Sequence, residues 1–349
     1  MKKFLAIVVG MVVVGLALRY VLNRPAKSKA KPTPVVHEQP RPTVDEPKPV
    51  PDQPPPREPE PAPEPPPPPR IAGATQISDA ETQHFATGPG VIYYCEAGGV
   101  MAQPKTGGPP KRIGDCESAF DFMADAQGVF YCDGERLMRI SAGTEGSHAV
   151  AEGIDCILSA LDAKYAYFVV PGFEGNENPG VYRVVRTGGT PERIHATRPK
   201  EQFALAVDND VVWISAWSAG TISKLAKTPN AKARTVVTGQ KGIVDFGIDA
   251  TSLYWYAEGT GEVRRRKKTG GAIEVIGHDV DQEPIAVVDG HAYWFEGGPG
   301  QDKRLMHLAP GGGKAEQLAA GLHVPTLRAD AEGVYISELD RDGIFMFKR

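Results

Sequence analysis

Nothing in this 349-residue chain reads as a catalytic signature. The eight histidines, at 37, 84, 148, 195, 278, 291, 307 and 323, form no H-E-x-x-H pair, and Ser218 lacks the Gly-x-Ser-x-Gly context that exposes a nucleophile. Cysteine is scarce: four residues without a C-x-x-C spacing speak against zinc, and none stands at the end of the N-terminal apolar run to carry a lipid. The run Glu338-Leu339-Asp340-Arg341-Asp342-Gly343 starts like a calcium loop but lacks the other ligands, so no cofactor or metal is expected. A basic excess is missing as well. Residues 1–72 hold 11 of the 39 Lys and Arg and 7 of the 43 Asp and Glu, which leaves 28 basic and 36 acidic residues and argues against nucleic acid as a partner.

Proline is abundant, but in one place. Of the 38 residues from Pro32 to Pro69, 18 are proline, interleaved with charge. Such a stretch buries no apolar surface and is expected to be a disordered, extended tether, about 3.1 Å per residue. Ahead of it, Phe4 to Leu18 is an uncharged apolar run, extended by Tyr20, Val21 and Leu22 past Arg19. The expected organisation is therefore a transmembrane signal anchor over 1–22, a Pro-rich tether over 23–72 and a folded domain over 73–349. A cleaved signal peptide is the alternative. Positive charges flank the run on both sides, Lys2 and Lys3 before it and Arg19, Arg24, Lys27, Lys29 and Lys31 after it. A strict count favours a cytoplasmic domain, but a short basic head followed by an apolar run is how a signal anchor delivers an exported one. The expected location is the bacterial inner membrane, single-pass, with the domain in the periplasm. The plan of one helix, a Pro-rich rod and a C-terminal domain is similar to that of the TonB energy-transducing proteins, in topology alone.

The folded part repeats. Seven short aromatic segments start at Val91, Val129, Ala166, Val211, Leu253, Ala292 and Val334, spaced by 37 to 45 residues. One unit, from Leu253, reads as an aromatic strand, a Gly-rich turn, a charged strand, Gly270-Gly271, a short aliphatic strand, and then Pro284-Ile285-Ala286-Val287-Val288-Asp289. Four strands per period is the grammar of a propeller blade. Six units are complete. Val334–Ser337 and Gly343–Arg349 are expected to form half a blade, completed by two strands from the front, in Gly73–Ser78 and Gln83–Thr87. The fold class is all-β: a seven-bladed β-propeller closed by N- and C-terminal strands, which removes free sheet edges.

The recurring I/L-A-V-D-x-x-x-V-Y-W followed by G-x-I/V-x-R-x-x-K-x-G-G resembles the repeats of YWTD and NHL propellers, common in bacterial envelope proteins, over residues 73 to 349. Leu253-Tyr254-Trp255-Tyr256 and Ala292-Tyr293-Trp294-Phe295 carry the Tyr-Trp pair, but no copy carries the Thr-Asp that follows it in the YWTD type. The resemblance implies a fold and no particular ligand.

Residue-level expectations follow from strand phase. Cys95 and Cys132 end successive aromatic strands, and Cys116 and Cys156 enter the following blades, so Cys95–Cys116 and Cys132–Cys156 are plausible bridges. Cys116–Cys132, or four buried free thiols, are the alternatives. Asp125, Asp162, Asp208, Asp249, Asp289 and Asp330 each precede an aromatic strand and suit Asx turns. The basic run Arg264 to Lys268 suits a solvated strand near an outer edge. Positions two and four before each Asp share one face of the inner strand, which places Asp121, Asp245 and Arg328 at the channel and suggests that Arg328 reaches one of the two aspartates. The loops opposite the Asp turns differ from blade to blade. There Phe173, Arg198, Lys200, Trp217, Asp281, Glu283 and His323 are the candidate contacts. The function expected is non-catalytic: a membrane-tethered scaffold binding a protein or cell-wall component, anchored in the inner membrane through its N-terminal helix. The alternatives are a propeller lyase or hydrolase, with His291, His323 and Glu283 as candidates, or a ligand-sensing domain.

Overall fold

The computed structural model describes residues 71–349 apart from 83, 118, 155, 173–177, 199–200, 202, 281–283, 299, 324–325 and 339–342, and apart from the side chains of Phe120 and Leu158. The signal anchor and residues 23–70 of the expected tether lie outside the described residues, while Ile71, at its end, is buried in the propeller. Among the described residues there is no helix long and apolar enough to cross a membrane.

Strand β1 spans Thr75–Ser78. Blade one comprises β2 (Phe85–Gly88), β3 (Val91–Glu96), β4 (Gly99–Pro104) and β5 (Lys111–Asp115), and blade two β6 (Ala119–Asp125), β7 (Gly128–Asp133), β8 (Arg136–Ser141) and β9 (His148–Glu152). Blade three holds β10 (Ile157–Leu161), β11 (Tyr165–Val170), β12 (Gly180–Val185) and β13 (Glu192–Ala196). Blade four holds β14 (Phe203–Val207), β15 (Val211–Ala216), β16 (Thr221–Ala226) and β17 (Arg234–Val237). Blade five follows with β18 (Ile243–Ile248), β19 (Ser252–Ala257), β20 (Glu262–Lys267) and β21 (Glu274–Gly277), and blade six with β22 (Ala286–Val288), β23 (His291–Glu296), β24 (Lys303–Leu308) and β25 (Glu316–Leu322). Blade seven takes β26 (Thr326–Ala329), β27 (Gly333–Ser337) and β28 (Ile344–Lys348) from the C-terminus.

Each blade is an antiparallel sheet in chain order, and the inner strands of successive blades touch around the ring, β26 closing on β2. This is a seven-bladed propeller. The closure differs from the expectation in one respect. Only β1 joins blade seven, pairing Thr75 with Met346 and Ser78 with Ile344, so the closing blade is three strands from one end and one from the other. The second front segment, β2, is the inner strand of blade one. An aromatic strand always follows an inner strand, so the last aromatic copy already had its own inner strand in Thr326–Ala329.

The seven buried clusters lie one at each seam between blades. Residues of the second strand therefore alternate between two apolar interfaces: Leu253 and Trp255 pack toward blade four, Tyr254 and Tyr256 toward blade six. A strand buried on both faces has no polar phase, which is why the aromatic copies read as unbroken runs. Gly270 and Gly271 both take φ +108°, a left-handed conformation that a side chain would strain, and so end β20 in a tight turn. The basic run Arg264 to Lys268 lies on β20 and just beyond it. That is the third strand, inside the β21 edge, and Arg264 pairs with Glu262 while Lys268 pairs with Asp208.

Candidate functional site

The ring has two unlike ends. Hairpins between first and second strands, and turns between third and fourth, share one end. The Asx turns form there: Asp162 Oδ1 accepts the amides of Lys164 and Tyr165 at 2.9 and 2.8 Å, and Asp208, Asp249 and Asp330 repeat the pattern. Asp125 accepts from Gln127 alone at 2.8 Å, whereas Asp289 takes φ +49° inside a two-residue turn and makes no such bond. The second carboxylate oxygen accepts from the aromatic residue five places on, Tyr167 at 2.7 Å, Trp213 at 2.8 Å and Tyr254 at 2.7 Å.

A basic residue just after the third strand of the next blade completes the group. Asp125 meets Arg186, Asp162 meets Lys227 at 2.7 Å, Asp208 meets Lys268 at 3.0 Å, Asp330 meets Lys105, and Asp289 meets Arg349 at 3.0 Å. Burial alone would raise the carboxyls of Asp162 and Asp208, but the ammonium, the aromatic donor and the turn amides outweigh it and lower both to about 2. The same partnership raises the Tyr167 hydroxyl and, to about 12, that of Tyr254, after burial as the larger cause. These latches hold blade to blade. Two seams lack one: Gly88 and Ala142 stand at the acid and base positions between blades one and two, and Pro310 faces Asp249 between blades five and six. Sequence reasoning noted each Asp but missed its partner, although the Lys105-Thr106-Gly107-Gly108 and Lys268-Thr269-Gly270-Gly271 repeats carried the signal.

The opposite end holds the second-to-third hairpins and the links between blades. Both disulfides lie here, Cys95–Cys116 and Cys132–Cys156, each tying the end of a second strand to the entry of the next blade. The bridges follow the expected pairing, and the alternative Cys116–Cys132 does not form. Of the candidate contacts, Phe173, Lys200, Asp281 and Glu283 lie outside the described residues. Arg198 is exposed. Trp217 is half-buried with its indole Nε1 donating to Glu258 at 2.9 Å, while the backbone N and hydroxyl of Ser218 donate to Glu201 at 2.9 and 2.6 Å. His323 donates its backbone N to Glu338 at 2.7 Å and holds Nε2 3.5 Å from Asp302. His291 starts β23 at the Asp-turn end, whereas His323 follows β25 at this one, so blade six separates the two histidines considered for acid/base chemistry.

Sequence reasoning missed an open cleft of about 510 Å³ at the disulfide end. Glu117, Asp133, Glu135 and Glu152 line it with Arg136 as the single cation, drawn from three separate loops. Among the described residues, no group of three His, Cys, Asp or Glu is placed to hold a metal ion.

The channel residues are held by backbone across seams. Arg328 Nε donates to the Phe85 carbonyl of blade one at 3.2 Å and Nη1 to the Leu327 carbonyl at 2.9 Å. Asp245 accepts from Ile285 N of blade six at 3.1 Å and from Phe246 N at 2.8 Å. Burial lowers the Arg328 guanidinium against the attraction of Asp245 and Asp121, and raises the Asp245 carboxyl against its hydrogen bonds. Both Arg328 and Asp245 are half-buried. A register shift between Ile243 and Phe246 re-aims Asp245, and a similar shift between Ala119 and Phe122 affects Asp121.

No family model matches the chain. No curated protein matches it either. Its fold does match solved structures. A streptogramin B lyase is 10% identical with a TM-score of 0.61, over 78% of this chain and 96% of that one. Virginiamycin B lyase from Staphylococcus aureus is 11% identical at 0.58, over 78% and 97%. YCF48 bound to D1 peptide is 10% identical at 0.53, over 78% and 95%. At such identity the likeness is one of fold, shared by enzymes and by a peptide-binding protein, and it fits the resemblance to propeller repeats.

Proposed function

We propose that this chain is a membrane-tethered, envelope-facing propeller that binds a protein or cell-wall ligand at its disulfide-stapled end and performs no chemistry on it. The contrast between the two ends carries this reading. One end is occupied by repeated Asx turns and latches. The other carries loops that differ between blades, stapled by Cys95–Cys116 and Cys132–Cys156 beside the acidic cleft. Loops of that kind, positioned by a rigid scaffold, are where binding concentrates. The apolar run before Arg19 and the proline-rich stretch support the anchor and tether of the same reading.

Capture tests it. Full-length protein in detergent is cross-linked to envelope extract, and the captured material is identified. Reversing the cleft with Glu117→Lys and Glu152→Lys is expected to cut capture by about tenfold, the cost of roughly one interfacial charge contact. Glu145→Lys, at the Asp-turn end, is expected to leave it unchanged. Equal effects at both ends overturn the site, and turnover of the captured ligand overturns the non-catalytic reading.

A further inference from the structure

Blade six varies a row of side chains, facing the next blade, that blades three and five share. In blade three, Tyr167, Arg183 and Glu192 stand opposite one another across three strands, with Arg183 bonded to Glu192 at 2.7 Å. Blade five repeats the row as Tyr254, Arg265 and Glu274. In blade six the row is Tyr293, His307 and Glu316, so a titratable group takes the place of a permanent cation. A second histidine extends it. His291 Nδ1 lies 2.7 Å from His307 Nε2, and His307 Nδ1 lies 2.8 Å from Glu316 Oε1.

The chemistry of the acceptor orders the protons. Ionised Glu316 only accepts, so His307 carries its proton on Nδ1 and is left with a bare Nε2, to which His291 donates from Nδ1. The row is complete with a single N–H on each ring. An added proton enters at His291 Nε2 and is shared along the short N–H···N contact. It makes a new cation beside Arg349, the last residue after β28, which latches blade seven to Asp289. The groups facing the pair are Tyr293 on β23, Glu316 on β25, Asp289 in the hairpin and Arg349 from blade seven.

We propose that the His291–His307–Glu316 row makes the seam between blades six and seven the acid-sensitive seam of the ring, loosening the closing blade on mild acidification while the Arg-bearing blades hold. Burial first, then Arg349 and His307, lower the His291 imidazole from its ordinary value. A base whose folded pKa is depressed contributes stability that is complete above the unfolded value, about 6.5, and declines as pH falls below it. The latches of Asp162 and Asp208 fail only in far stronger acid.

Amide exchange of the full-length chain, at about pH 7.5 and about pH 5.5 and corrected for intrinsic rates, reads the seam directly. Protection in His291–Glu296 and Ile344–Lys348 is expected to fall several-fold at the lower pH. Ser252–Ala257 and Tyr165–Val170 are expected to keep theirs. His307→Arg restores the row of blades three and five and is expected to abolish the fall. An equal fall in all four strands, no fall, or one that survives His307→Arg overturns the proposal. Imidazole nitrogen NMR of the unaltered chain gives a readout independent of that variant: Nδ1–H on both histidines is expected at neutral pH, and Nε2–H on His307 overturns the row.

Discussion

Arg328 joins two blades across the seam between blades seven and one. Its guanidinium reaches the Phe85 carbonyl across the seam where the ring closes, and Asp245 and Asp121 supply the compensating field. Removing the cation leaves a buried carbonyl without its donor and Asp245 without its nearest attraction. Arg328→Met is therefore expected to destabilise the propeller by on the order of 2 kcal/mol, the worth of a hydrogen bond to a charged group, read as a lower denaturant midpoint at unchanged m-value. Ligand capture at temperatures where the variant stays folded is expected to persist. Unchanged stability with lost capture would place the binding site in the channel.

At the scale of the element, hairpin and turn of adjacent blades act as one unit. Asp162 and Asp208 are lowered to about 2 in the fold, against an ordinary value near 4. A depressed carboxyl contributes its stability above the unfolded value and loses it as pH falls through the folded one, so these two latches weaken between about pH 4 and about pH 2. The loss is expected to be on the order of 2 kcal/mol for each latch, observed as a steep fall in melting temperature across that window. Asp162→Asn is expected to remove part of this acid dependence, and an unaltered profile in that variant would sink the latch reading. The disulfides act at the other end of the ring, with sequence separations of 21 and 24. Reduction is expected to cost roughly 3 kcal/mol per bridge by loop entropy, measured by melting with and without a reductant. A melt insensitive to reductant would show that the staples do not stabilise the ring.

For the whole molecule, stability rests on ring closure. Strand β1 covers the outer edge of β28, and Ile71, Ile77 and Ala80 are buried against blades six, seven and one. Deleting residues 73–81 is expected to expose that edge and give aggregation or a markedly lower melting temperature, followed by light scattering during a thermal ramp. A circularly permuted chain that places β1 after β28 through a flexible linker is expected to restore solubility. Failure of the permutant with intact stability of the deletion would contradict closure by β1.

Architecture was legible in the sequence because repetition is a local signal: the same aromatic run and glycine turn recur at a blade's spacing, whatever the distant contacts. The disulfides were legible in part: strand phase puts all four cysteines at one end and makes Cys95–Cys116 and Cys132–Cys156 plausible, but the choice over Cys116–Cys132 came from the structure. Other features depend on which segments meet. The one-strand closure and the cleft assembled from three loops combine residues whose separation no periodicity encodes, whereas four of the latches, Asp162 to Lys227 among them, span a repeating 60 to 65 residues. Register slips at Ala119–Phe122 and Ile243–Phe246 broke the simple alternation from which the channel aspartates were read. Period and side-chain phase belong to the chain itself, whereas closure and cleft belong to the packing of neighbouring blades. Only the closed ring could decide which strand completes the last blade and which loops meet at the cleft.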